Sequence, residues 1–398
     1  MRLKHFLYFQ KNRTEHTLNK KPILFSKPSI TKLEEECVLD SLQQNILSGD
    51  GKYTKKVYEQ FQKKFGIHHM LLTTSGTSAL ELAALLIDIQ PNDEIIVPSF
   101  TFSSTANAFM LRGAKPIFCD IRQDTLNIDE AKIEALITKR TRAIYTVDYA
   151  GVPCEMDMIQ ALAEHYNLFV IEDAAQALGS SYKGQMAGTL GEFGCFSFHA
   201  TKNYIMGEGG AIVLNEEKYL ERAEIIREKG TNRNQLMRGM VDKYTWHEIG
   251  SSYLPSDILA ALLYAQVERF EEMTQKRLLL WNLYQDMLAS FEKEGKLRRP
   301  IVPEHIQHNG HMYNILLPTA EIRSVLIDRL RDKGVQAPFC YVPLHSSPLG
   351  TSLGYKAHDC PITEQYGKRV LRLPLHYDMD ISDVCYVVEQ LEGILESF

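Results

Sequence analysis

Short apolar runs alternate with longer amphipathic stretches between residues 70 and 214, and this rhythm limits the possible folds more than any other feature. The runs are Met70–Thr73, Glu94–Pro98, Lys115–Cys119, Thr141–Val147, Leu168–Ile171, Cys195–Phe198 and Ala211–Leu214. Each is too short for a helix and too apolar for a solvated loop, so each reads as a strand buried on both faces. The stretches between them include helices ending near Ile87 and Leu111, then Asp129–Leu136 and Met156–His165. Strands that alternate with helices of this length predict an α/β fold, a mostly parallel sheet covered on both faces. Ligands of such sheets sit beyond the carboxyl ends of the strands.

Flanking segments complete a two-domain reading. The chain has 398 residues and is 44% hydrophobic, enough for two cores. Residues 1–21 read as an N-terminal extension, 22–255 as a large domain and 256–398 as a smaller α+β domain. Thr31 and Glu34 form a capping-box pair at the start of a helix expected to reach Leu47. A long helix is expected over Ile258–Phe291. Strands follow at Tyr313–Leu317 and Val335–Ala337, with helices at Ile322–Lys333 and from Ser382. A formal net charge of −6 offers no basic field for nucleic acid or an anionic membrane. No apolar run approaches the ~20 residues of a membrane span. Seven scattered cysteines with no CxxC pair predict reduced thiols in a cytoplasmic protein.

Chemistry-bearing residues gather where the strands end. Thr74-Ser75-Gly76-Thr77-Ser78 joins a strand to a helix. Free N–H groups and the helix dipole there suit an anion, although an ordinary capped turn has the same composition. Phe102 follows the second strand and offers a flat face for stacking or a side chain for the core. Asp173 lies at the end of Leu168–Ile171 and its two acidic neighbours; it is either an N-cap or the partner of a buried cation. Gln176 is one helical turn on. Lys202 comes after the Cys195–Phe198 run and before Gly207-Glu208-Gly209-Gly210. Burial lowers a lysine pKa, and a neutral amine is a nucleophile toward carbonyl carbon. That combination points to Lys202 holding pyridoxal 5′-phosphate (PLP), with Asp173 facing the pyridine nitrogen. The glycine cluster is not GxGxxG, so a dinucleotide site is not expected. His305, His308 and His311 share a spacing of three, but Pro303 and Gly310 argue against a helix and no metal site is expected.

Ser75–Leu80, Glu172–Gln176 and Ser197–Lys202, in this order and spacing, resemble motifs of the DegT/DnrJ/EryC1/StrS sugar aminotransferases. The likeness runs from Pro22 to the C-terminus. It implies fold type I of the PLP enzymes, with a large seven-stranded sheet domain and a smaller C-terminal domain. It also implies roles: Lys202 bonded to the cofactor, Asp173 on the ring nitrogen and Gln176 on the ring hydroxyl. Gly76, Thr77 and Ser197 would hold the phosphate, Phe102 the ring face, and His345 the substrate. Residues 86–91, 112–115, 227–233 and 242–246 look nearest to members that aminate C4 of a dTDP-4-keto-6-deoxyhexose with L-glutamate. A 3-keto sugar aminotransferase and a PLP-bound sensor without turnover are the alternatives. The resemblance also implies a homodimer with shared sites, to which the long polar stretch Lys229–Trp246 adds a hint. Most members have an asparagine that reaches the partner's phosphate; here that position is the shorter Ser252.

Overall fold

Seven strands make the main sheet of the computed structural model, which describes residues 22–45 and 47–398. The expected extension, residues 1–21, lies outside the described residues. Strands β1 (Met70–Thr73), β2 (Glu94–Pro98), β3 (Lys115–Cys119), β4 (Thr141–Val147), β5 (Phe169–Asp173), β6 (Phe193–Ser197) and β7 (Gly210–Leu214) lie in the order β1-β7-β6-β5-β4-β2-β3. Only β7 runs against its neighbours, β1 and β6. The remaining pairs are parallel.

Successive strand residues point to opposite faces, and the core divides accordingly. Leu71, Ile171 and Ile212 pack on one face with α3 (Gly76–Leu86) and α4 (Ser103–Met110). Their neighbours Leu72 and Val213 pack on the other face with helices of residues 53–61 and 260–267, and Val170 packs there with Ile159 of Met156–Tyr166. Burial of this kind is worth roughly 25 cal/mol per Å² of apolar surface and fixes the register of every strand.

Helix ends follow their local chemistry. Helix α1 (Lys32–Gln43) opens with the expected Thr31–Glu34 capping box. Helix α2 (Lys52–Phe65) starts at Gly51, which has no side chain to cap it. The Asp257 carboxylate accepts the Tyr53 and Thr54 N–H groups instead, at 3.0 and 2.8 Å. A Cβ on Gly51 would lie 2.6 Å from that carboxylate, so the small residue is required.

One expectation changes. The stretch read as a single helix over 258–291 is broken into Asp257–Glu268, Phe270–Met287 and Ala289–Lys293. At Arg269 the backbone N–H bonds Gln266 O, an i→i−3 contact, and ψ opens to 12°. The turn aims the guanidinium at buried Glu34, 2.8 Å away. No Gly or Pro marks this break in the sequence.

The two cores do not divide at residue 255. Ala260, Leu263, Val267 and Met273 pack with Leu72 and Phe196 of the main sheet. The second core takes over at Leu280 and includes Ile23. It surrounds a two-stranded antiparallel sheet, β8 (Tyr313–Leu316) and β9 (Val370–Leu373), with helices Ala320–Asp332 and Ile381–Leu395. The expected strand at Val335–Ala337 is reduced to a single bridge between Val335 and Ile23. Cys37, Cys119, Cys154, Cys195, Cys340 and Cys360 are buried free thiols. Among the described residues no helix is long and apolar enough to cross a membrane.

Candidate active site

A cavity of about 940 Å³ opens where the strands of the main sheet end, with the second unit forming its far wall. Gly76, Thr77, Phe102, Asp173, Gln176, Ser197 and Lys202 all line it. His345 does not.

The turn after β1 supplies one end. Ser75 caps α3 by accepting the Ser78 N–H at 3.0 Å. The first-turn N–H groups of Gly76 and Thr77 have no intrahelical acceptor. Thr77 Oγ1 donates to Ser104 Oγ at 2.7 Å and so ties the starts of α3 and α4 together. Space here is tight: a Cβ on Gly76 would stand 2.9 Å from Ser197 Cβ, and one on Gly210 would stand 2.5 Å from the Gly76 nitrogen. The amides therefore remain open to a ligand while the backbone is packed from behind. This is the arrangement that binds phosphate at helix N-termini.

At the end of β5, two adjacent carboxylates have opposite surroundings. Glu172 faces away from the cavity and accepts N–H groups from Gly188, Leu190 and Gly191 at 2.9, 2.6 and 2.7 Å. It is a structural clamp on the loop before β6. Asp173 faces the cavity. Its Oδ2 accepts Thr105 Oγ1–H at 2.6 Å, and its Oδ1 accepts the Ala175 N–H at 3.2 Å. Burial raises the Asp173 pKa, opposed by the Thr105 hydrogen bond and the charge of Lys202. Thr105 was not singled out in the sequence. It lies on α4, which begins one residue after Phe102.

Lys202 sits five residues past β6 in a turn closed by the Lys202 N–H to His199 O, 2.8 Å, and Ala200 N–H to Gly207 O, 2.8 Å. Its Nζ makes no hydrogen bond or ion pair with a described residue. Burial lowers its pKa, the Asp173 carboxylate opposes this, and the Arg372 guanidinium adds to it. The cavity thus holds an amine of lowered pKa and a carboxylate from the neighbouring strand.

Gln176 is anchored from two sides. Its Oε1 accepts the Ala150 N–H at 2.7 Å, and its Nε2 donates to Tyr341 Oη at 2.7 Å. One amide hydrogen remains for a ligand. Phe102 is 60% exposed, which removes the core reading, whereas Phe100 is buried against Tyr149 and Tyr341. The far wall brings Tyr341, His311 and Arg372 to the same space. None of these was predicted as a site residue; Arg372, a charge inside Val370–Leu373, was the one visible anomaly.

His345 is a correction. Its side chain is fully buried, with Nδ1 2.6 Å from Ser99 Oγ, and its backbone N–H donates to the same oxygen at 3.1 Å. It pins the second unit to the end of β2 and does not face the cavity, because the backbone turn at Leu344–Ser347 aims it inward. Ser252 forms an isolated bridge with Glu228 and does not line the cavity either. The three histidines scatter: His305 pairs with Glu155, the His308 ring packs tilted against Trp281, and His311 Nδ1 lies 2.9 Å from Asn203 Oδ1.

An anion cradle, a buried carboxylate, an amine and an exposed aromatic ring fit a flat phosphorylated pyridine that carries a carbonyl group. Together with the sheet order, they define a PLP-dependent transferase of fold type I. The family model described as the DegT/DnrJ/EryC1/StrS aminotransferase family matches residues 28–392. The chain belongs to this family, and its cofactor is PLP. It is 33% identical to the GDP-perosamine synthase of Escherichia coli O157:H7 over 92% of this chain and 96% of that protein. A Streptococcus pneumoniae sugar-aminotransferase homologue solved in its PLP form superposes with a TM-score of 0.87 at 26% identity, covering 94% of this chain and 99% of that one. Helicobacter pylori PseC, an aminotransferase involved in pseudoaminic acid biosynthesis, gives 0.86 at 27% identity, covering 95% and 100%.

Proposed function

We propose that the protein moves an amino group from L-glutamate to C4 of a dTDP-4-keto-6-deoxyhexose. The product is a dTDP-4-amino-4,6-dideoxy sugar of galactose configuration for cell-surface polysaccharide. The observation that carries the aminotransferase reading is that Lys202, Asp173 and the Gly76 turn line one cavity. The E. coli relative's name supports a sugar nucleotide. The choice of dTDP rests on motif likeness at residues 86–91, 112–115, 227–233 and 242–246.

When bound, PLP supplies a carbonyl to take up the amine and a ring that accepts the electron pair of a broken C–H bond. The chain's residues do the rest. Lys202 would hold the cofactor through its side-chain nitrogen, and that nitrogen would take up and return the proton that amine transfer moves. Asp173 keeps a proton on the pyridine nitrogen, and Thr105 holds its carboxylate in place. The Gly76 and Thr77 amides and the Ser197 hydroxyl hold the phosphate. Gln176 directs its remaining amide hydrogen to the ring hydroxyl, and Phe102 covers one ring face.

Met237, Met240, Trp246 and Ile249, all in the stretch after Lys229, are exposed. They suit a homodimer contact, and the working protein is read as a cytoplasmic homodimer. Lys202→Ala purified with PLP is expected to lose the visible absorbance of the bonded cofactor and all turnover; an active Lys202→Ala enzyme sinks the assignment. Incubating wild-type protein with L-glutamate and a panel of dTDP-, GDP- and UDP-keto sugars, then identifying the product by mass and NMR, tests the substrate. Amination at C3, or only of a GDP or UDP sugar, overturns the finer reading.

A further inference from the structure

Three acids stand close together where β4 and β5 end, and the proposed chemistry uses one of them. Asp173 lines the cavity, whereas Glu172 and Asp148 do not. Asp148 directly follows β4, and its backbone N–H donates to Asp173 O at 3.2 Å. This extends the pairing of Val147 with Asp173 by one residue. The Asp148 side chain is fully buried. Its Oδ1 accepts the Cys154 N–H at 3.1 Å, and its Oδ2 is buried with no hydrogen-bond partner. The charges that act on it, those of Glu172 and Asp173 on β5, are both negative. The remaining ionisable neighbour, Cys154, is a buried thiol, which Glu130 reaches from the segment Glu130–Ile133.

The other two acids have the donors that an anion needs. Glu172 accepts three backbone N–H groups, and Asp173 accepts the Thr105 hydroxyl and the Ala175 N–H. Burial raises the Glu172 pKa too, but its three donors oppose that. Asp148 has one N–H donor. Like charges crowded into one buried site do not all ionise, so the proton rests on the acid with the fewest donors. Burial first, and the Glu172 charge next, push the Asp148 pKa well above the carboxylate range.

Asp148 and Cys154 bracket a turn that touches the site at two points. Ala150 gives its N–H to Gln176 Oε1 at 2.7 Å, and the Tyr149 hydroxyl donates to Cys340 Sγ, in the cavity wall, at 3.0 Å. Ala150 has φ 58°, a left-handed conformation that a residue with a Cβ keeps only where its surroundings fix it. The hydrogen bond from Cys154 to Asp148 closes this strained stretch across its two ends. We propose that Asp148 is a positioning residue that works as a neutral carboxylic acid: it closes the turn that holds Gln176 and adds no negative charge behind Asp173. The inference deepens the proposed function and rests on the roles given there to Gln176 and Asp173.

Two variants separate the proton from the shape. Asp148→Asn imitates the neutral acid, and Asp148→Ala removes the acceptor of the Cys154 N–H. The first measurement is urea unfolding of the PLP-loaded proteins from mildly acidic to mildly alkaline pH. With the folded pKa above the unfolded one, the unfolded chain releases a proton that the native state keeps. Wild type therefore loses stability as pH rises above the ordinary carboxylate range, and D148N has no such proton to keep. Glu172 and Asp173 titrate in both proteins, so the comparison isolates Asp148. The ratio of unfolding constants, wild type over D148N, is expected to grow by about tenfold per pH unit. A ratio that does not change with pH overturns the proposal. The second measurement is the pH titration of the visible absorbance of bound PLP. D148A is expected to move its midpoint by about one unit or more, and D148N to stay within about 0.3 unit of wild type. A wild-type midpoint in D148A shows that the turn does not act on the cofactor and also overturns the proposal. Asp148→Ser, with its shorter side chain, replaces D148A if that variant does not fold. Failure of the sugar assignment shows separately, as no aminated sugar while both pH effects persist.

Discussion

The cavity's two walls are built on different rules. On the main-sheet side, each functional group leaves the end of a strand or enters the start of a helix, and backbone amides surround it. Gly76, Asp173 and Lys202 are positioned by turns whose hydrogen bonds close within a few residues. On the second-unit side, Tyr341, His311 and Arg372 are held by partners far away in the chain. Tyr341 meets Gln176 across 165 positions, and His311 meets Asn203 across 108. The near wall carries the groups suited to bond and protonate the cofactor. The far wall carries groups suited to shape and charge the space that substrates enter. Local turns can be exact to a fraction of an ångström, whereas the far wall is only as well placed as the packing between the two cores.

If that division holds, damage to the near wall should cost the most. Asp173→Asn keeps the shape but removes the charge facing the ring nitrogen. It is expected to lower kcat by about 10²-fold or more, as for other preorganised electrostatic partners. Its measure is single-turnover kinetics with L-glutamate. A variant within a few-fold of wild type would mean that Asp173 is only a cap for Ala175. The clamp beside it offers no such effect, because Glu172 serves the loop and not the cavity.

His345→Ala sharpens the boundary of the far wall. The fully buried imidazole is expected to contribute stability and not substrate contact. Removing the imidazole that meets the Ser99 hydroxyl should lower unfolding free energy by about 2 kcal/mol, read by urea denaturation. KM for both substrates should stay within about twofold, a shift of well under 1 kcal/mol. A large rise in KM with unchanged stability would return His345 to the substrate side.

The smallest expected effect is at the seam between the walls. Tyr341→Phe deletes one hydrogen bond to the Gln176 amide. A neutral hydrogen bond is worth about 1 kcal/mol, so kcat/KM should fall by about fivefold. Gln176→Leu made on top of Tyr341→Phe should then cost less than Gln176→Leu alone. Full additivity in that double-mutant cycle would show that Tyr341 does not act through Gln176.

Legibility followed the same division. The capping box at Thr31 and Glu34, the strand ends and the Gly76 turn depend on residues adjacent in the chain, and they could be read there. Phe102 was ambiguous between core and cavity, because one aromatic residue at a helix start has the same local sequence in either case. Thr105 was missed since a threonine on a helix carries no mark of the carboxylate it will meet. The break at Arg269 was missed because its cause is Glu34, 235 positions earlier. His345 was misplaced because its motif says which loop it belongs to but not which way that loop turns.

The amino-acid sequence by itself determined the alternation of buried strands and helices, the anion-ready turn, and the acid and amine at neighbouring strand ends. Those features rest on periodicity and on hydrogen bonds that close locally. Tertiary structure alone decided that Phe102 is open, that His345 is closed off, and that Arg372 reaches the same cavity as Lys202. Each of these depends on where two separately formed cores come to rest against each other, and no short stretch of chain contains that information.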